Sequence, residues 1–207
     1  MTKKRLPARI LIATRNKGKV REIRDLVAKL PVKFLSLDDV AKAPDVVEDA
    51  ATFEGNALKK ARILADATGI PALADDSGLC VDALGGRPGV HSARYAGEGA
   101  SDADRIAKLL NEMRDVPEQQ RSAQFVCAVA LAWPDGQSTM FMGTCEGQIT
   151  REPRGLGGFG FDPVFYFPEA GCTFAEMDRQ AKNQVSHRGK ALRQLAEYLT
   201  TLAPGKE

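Results

Sequence analysis

Four groups of residues carry side chains able to do chemistry, and their spacing narrows what that chemistry is. The first is Thr14-Arg15-Asn16-Lys17-Gly18-Lys19, between a short β-branched run and an apolar repeat at helical spacing. A helix start presents unpaired N–H groups and a positive dipole end, so a loop of this kind can cradle phosphate oxygens. The GxxxxGK[ST] spacing of a P-loop is absent, and Asn16 equally suits an ordinary N-cap. The second group is acidic. Glu48 and Asp49 precede a helix at Thr52, and Asp75 and Asp76 follow the apolar run 71–74, ahead of Ser77 and Gly78. Mg²⁺ favours carboxylate and water oxygens, and adjacent carboxylates beside apolar strands repel unless a cation or donors offset them. Two acids at the carboxyl end of a strand also sit where open α/β sheets bind ligands.

In the third group, Gly155, Gly157 and Gly160 formally satisfy GxGxxG, but Pro163 and an apolar strand follow where a dinucleotide fold needs a helix. What remains is a glycine loop suited to close backbone approach, with Phe159 able to stack on a base or simply to pack in a core. The fourth group is Lys182 with Ser186-His187-Arg188-Gly189-Lys190, rich in donors that can meet a purine carbonyl or a phosphate. Its bland alternative is a basic helix entry with Ser186 near the N-cap.

The elements that must hold these groups read as follows. A strand at Arg9 to Thr14 leads to a helix at Val20 to Leu30, and a second helix at Thr52 to Thr68, closed by Gly69, leads to a strand ending in the two acids. Ser101 and Asp104 form a capping box for a helix ending near Val116 and Pro117. Gln124 to Trp133 and Ser138 to Ile149, joined by Pro134, Asp135 and Gly136, form a long hairpin. A short strand at Val164 to Phe167 and a helix from Lys190 to Leu202 complete a mixed α/β sheet with helices packed on it.

Composition excludes several classes. At 207 residues, 43% hydrophobic and 27% charged, the chain reads as one α/β domain over 9–202, with a basic extension at 1–8 and a tail at 203–207. Its 29 basic and 27 acidic residues are interleaved, which disfavours a nucleic-acid polymer as partner. No run approaches the ~18 apolar residues of a membrane span. The apolar run 10–13 is too short for a signal peptide, and Cys80, Cys127, Cys145 and Cys172 lack CxxC spacing, so a reducing cytoplasm is expected.

Taken in order, these segments resemble the inosine triphosphate pyrophosphatase family, the non-canonical purine or dITP/XTP pyrophosphatases, from about Ile10 to Leu199. The match comprises Thr14, Asn16 and Lys19; Phe53, Asn56, Lys60 and Ala61; Ala74 to Gly89; Ser92 to Gly97; Ile149 to Phe165; and Ser186 to Leu192. The resemblance implies an α/β fold with a long central hairpin, two lobes around a cleft, and a homodimer. It implies a triphosphate loop at Thr14, Arg15, Asn16, Lys17, Gly18 and Lys19, a further phosphate contact at Lys60, and a substrate contact at Ser77. Glu48 and Asp76 would ligate Mg²⁺, with Asp76 also the proton acceptor for the attacking water. Phe159, Gly160, Phe161, Asp162, Lys182, His187 and Arg188 would bind the base. Phe161 and His91 stand where the family commonly has tyrosine, so neither offers a hydroxyl.

The expected reaction is cleavage of ITP, dITP or XTP to a monophosphate and pyrophosphate. Two competing readings are a related pyrophosphatase for modified pyrimidine or methylated nucleotides, and a sensor that binds triphosphates without cutting them. A water-activating acid speaks against the sensor.

Overall fold

The strand β1, Arg9–Ile12, is buried after its first residue, and the chain then turns into helix α1, Lys17–Val27. Asn16 is the N-cap: its side-chain oxygen accepts from Lys19 N–H at 3.1 Å, satisfying one donor that every helix start leaves over. The helix begins ahead of its apolar repeat because Lys17, Gly18 and Lys19 supply a first turn with no apolar side chain. Two further elements follow: β2, Lys33–Leu35, and α2, Phe53–Thr68. Thr52 caps α2 by accepting from Gly55 N–H at 3.0 Å, and Gly69, at φ 65°, closes it in the left-handed conformation that glycine adopts without strain. The buried face of α2 carries Ala57, Ala61, Leu64 and Ala65, as its spacing predicts, together with Asn56 and Lys60.

The next strand departs from expectation. Instead of ending at the two acids, β3 runs unbroken over Ala72–Val81 with Asp75 and Asp76 inside it. Successive strand side chains project to opposite faces, so the adjacent carboxylates meet different surroundings and need not interrupt the ladder.

Helix α3, Asp102–Glu112, starts on Ser101 with both halves of the capping box made and ends slightly short of the expected Val116. Strands β4, Ser122–Ala132, and β5, Ser138–Ile149, are joined by a turn in which Gly136 N–H donates to Trp133 C=O at 3.0 Å. Then come β6, Phe165–Phe167, β7, Cys172–Thr173, and two helices, α4, Arg179–Val185, and α5, His187–Thr201. No α-helix follows the glycine loop directly; a single 3-10 turn, Asp162–Val164, leads into β6. The sequence pattern missed α4, whose seven residues carry no apolar stripe; its signal is Asp178, which accepts from Ala181 N–H at 2.8 Å. Ser186 ends α4, donating its N–H to Lys182 C=O at 2.9 Å.

The seven strands form one mixed sheet in the order β2-β1-β3-β4-β5-β6-β7. Strand β1 is parallel to β2 and β3, whereas β6 is antiparallel to β5 and β7. The computed structural model describes residues 4–40 and 43–203. Residues 1–3 of the expected extension and 204–207 of the expected tail lie outside the described residues. The chain divides into two compact units: Met1–Asp76, Ala128–Met142 and Arg188–Glu207 form the first, Ser77–Cys127 and Gly143–His187 the second.

In the first unit the core includes Ile10, Leu11, Ile12, Ile23, Leu64, Leu73, Leu195 and Leu199. The expected extension is tied to it, since Leu6 N–H donates to Leu202 C=O at 3.0 Å and Lys4 pairs with Asp135 beneath the Trp133 ring. The second unit packs Ile106 and Leu109 of α3, and Met113 at its C-cap, with Leu79, Val81, Phe125, Phe161, Phe165 and Phe174. Area bookkeeping assigns such fully buried side chains about 1.5–3 kcal/mol each. Among the described residues no helix is long and apolar enough to cross a membrane.

Candidate active site

In the first unit, β1 delivers the chain to the α1 start and β3 brings its two acids alongside. Ala13 N–H donates to Leu73 C=O at 2.8 Å, which fixes Thr14 to Lys19 next to Asp75 and Asp76. Thr14 Oγ1 accepts from Asn16 N–H at 3.2 Å, so Thr14 and Asn16 together shape the loop. Arg15 lies at the surface, paired with Asp45 at 3.0 Å, and Lys17 is exposed.

The two aspartates part company here. Asp75 is 1% exposed; one carboxylate oxygen meets Lys19 Nζ at 2.5 Å and the other accepts from Arg188 Nε at 2.8 Å. Arg188, equally buried, also donates to Glu22 of α1. Two cations and two carboxylates thus alternate through the interior, which offsets the several kcal/mol each buried ion would cost by itself. Asp76 accepts from the Asn56 side-chain amide at 3.0 Å. Its carboxyl is pushed above the ordinary carboxylate range, chiefly by burial and further by the nearby Glu48 charge, against the opposing pull of Lys19, Asn56 and Lys60. Lys60 Nζ donates to Glu48, so α2 holds that acid near Asp76.

In the second unit the glycine loop closes on Asp162. Its Oδ2 accepts from Phe159 N–H at 2.8 Å and from Lys182 Nζ at 2.5 Å. The Lys182 ammonium stands 5.0 Å over the Phe159 ring and 5.6 Å over that of Phe174. A carboxylate and two aromatic faces therefore compensate a lysine that is only 4% exposed. Gly158 is in the left-handed region, and a Cβ there would collide with the Asp162 carboxylate, which accounts for glycine at this turn. His187 stacks on Phe125, with centroids 4.7 Å apart and planes 12° apart.

Of the residues expected to bind a base, the structure assembles Phe159, Gly160, Asp162 and Lys182. Phe161 is instead a core residue, edge-on to Tyr95 at 6.3 Å. Arg188 is brought together with Asp75 and Glu22 in the first unit. Ser77 is half-buried on β3. Sequence reasoning overlooked Glu22, whose only signal is a charge beside the buried Ile23 on the apolar face of α1, and it gave Asp75 no role of its own.

The Ham1 family model matches residues 10–198. The chain belongs to the Ham1 family. Two relatives bear the name dITP/XTP pyrophosphatase: one from Geobacter sulfurreducens is 55% identical over 92% of this chain and 96% of its own, and one from Geobacillus kaustophilus is 54% identical over 95% and 97%. A solved HAM1 protein from Coxiella burnetii matches with a TM-score of 0.86 at 46% identity, covering 93% of this chain and 98% of that one. A dITP/XTP pyrophosphatase from Mycobacterium abscessus matches with a TM-score of 0.73 at 43% identity, covering 90% and 97%.

Proposed function

We propose that this chain hydrolyses the non-canonical purine nucleoside triphosphates ITP, dITP and XTP to the monophosphate and pyrophosphate. Asp76 carries the reading: a buried carboxyl with a raised pKa, among Lys19, Lys60, Glu48 and Asn56, is a base poised to take a proton from water. The water oxygen attacks the α-phosphorus, its proton passes to Asp76, and the bond to the β-phosphate breaks to release pyrophosphate. Lys19, Lys60 and the loop Thr14 to Gly18 take the phosphate oxygens. Arg188 and Glu22 hold Asp75, and through it Lys19. Ser77 is a further substrate contact.

Glu48 and Asp76 fit a hard divalent cation, because the Glu48 charge already adds to the raised pKa of the Asp76 carboxyl. Among the described residues no cluster of three or more His, Cys, Asp or Glu is arranged as a metal cage. Mg²⁺ requires none, because it takes one or two protein carboxylates and completes its shell with substrate oxygens and water. When bound it would neutralise phosphate charge.

Base choice falls to Lys182, His187 and the loop Phe159 to Asp162. Hypoxanthine and xanthine place an acceptor oxygen where adenine places an amino donor, and donors facing donors can discriminate by about 10⁴. The resemblance adds a homodimer to this reading, and the cysteine pattern adds a reducing cytoplasm. With Mg²⁺, ITP, dITP and XTP are turned over far faster than ATP; equal rates across that panel would remove the base specificity.

A further inference from the structure

Building on the proposed function, we infer that Asp102 on α3 is a positioning residue that fixes the base-reading loop and thereby sets base selectivity. Its Oδ2 accepts from Gly160 N–H at 2.7 Å, across 58 residues of sequence. The preceding N–H of the same loop, that of Phe159, ends on Asp162. Consecutive peptide groups are therefore held by two carboxylates, one inside the loop and one outside it. Gly160 sits at φ 63°, so its turn has no bulky side chain to hold it and depends on such hydrogen bonds.

The outside carboxylate is itself immobilised. Its other oxygen takes the guanidinium of Arg105, whose Nη1 also donates to Ala93 C=O at 2.8 Å and Ala100 C=O at 2.7 Å. Arg105 thus locks Asp102 to the turn Gly89–Arg94. Asp102 is not needed to start its helix, because Ser101 Oγ already accepts from Asp104 N–H at 3.1 Å and Asp104 Oδ2 accepts from Ser101 N–H at 2.9 Å. A carboxylate in a first turn gains a little from the helix dipole, but that gain does not call for the reach to Gly160. Without the anchor the Gly160 peptide shifts, and Phe159 and Asp162, on either side of it, lose the alignment that presents Lys182.

Steady-state kinetics on ITP and ATP with the wild type, Asp102→Ala, Asp102→Asn and Ser101→Ala, alongside thermal melts, tests this. Asp102→Ala is expected to raise KM for ITP and to narrow the ITP/ATP preference, each by about tenfold, while kcat on saturating ITP stays close to wild type. Asp102→Asn, whose one acceptor oxygen can serve Gly160 N–H only by turning its amide donor towards Arg105, restores part of both. Ser101→Ala lowers the melting temperature and leaves selectivity alone. Should Asp102→Ala fail to fold, Asp102→Ser reads the same effect, its hydroxyl being too short to reach Gly160. A discriminating wild type with indifferent Asp102→Ala or Asp102→Ser enzymes overturns the role of Asp102 alone. A wild type that does not discriminate overturns the base-reading assignment and this role with it.

Discussion

Lys19 and Asp75 meet at 2.5 Å, and the carboxylate that takes the Lys19 ammonium also takes the Arg188 guanidinium at 2.8 Å. The lysine we assign to the phosphates is therefore held by an acid that never reaches the surface.

Removing that acid leaves two cations facing one another in the interior. Asp75→Ala is expected to lose about 3–5 kcal/mol of stability, read by urea denaturation, because a broken buried pair strands an uncompensated charge. A loss below about 1 kcal/mol would mean that water reaches Lys19 and Arg188 freely.

Asp76→Asn keeps an acceptor for the Asn56 amide and removes the base. Turnover of ITP should drop at least ~10²-fold while nucleotide binding, followed by calorimetry, stays measurable. Retained turnover would move the base to another residue.

The raised pKa of Asp76 gives two linked pH effects. As a base it works ionised, so kcat/KM should fall on the acid side at a pH above the usual carboxylate range. For stability the sign is opposite. The fold favours protonated Asp76, so its contribution is fully present below the unfolded pKa and is lost as pH rises through the folded one. Asp76→Asn should therefore melt at or above the wild-type temperature near neutrality, and that advantage should vanish in acid. A variant that melts lower than the wild type at neutral pH would contradict the burial argument.

Lys182 and Asp162 answer a different question. Lys182→Met strands a carboxylate that is 2% exposed, so it should both destabilise and reduce the ITP preference. The double variant Lys182→Met with Asp162→Asn should regain much of the stability and none of the selectivity. If selectivity returned with stability, the lysine would be structural only.

Much of this arrangement can be read in the chain itself. Helical spacing and caps such as Thr52 and Gly69 mark α2, and Pro134-Asp135-Gly136 marks the hairpin, because both signals are local. Helix α4 escapes the pattern because seven largely polar residues leave no stripe, and β3 looks like two pieces because its acids are compensated by residues far away in sequence. The same distance hides the site's supports. Arg188 bonds Asp75 across 113 residues and Glu22 across 166, so a basic residue at a helix entry looks solvent-facing until the fold brings acids to it. Phe161, set among glycines, reads as a base contact and is core, since local context cannot tell which aromatic of Phe159 and Phe161 faces inward.

The most direct measurement of the central claim is hydrolysis of ITP in ¹⁸O-labelled water, with products resolved by phosphorus NMR. Water attack at the α-phosphorus predicts label in the monophosphate and unlabelled pyrophosphate. Label in the pyrophosphate, or orthophosphate as the first product, would contradict the account.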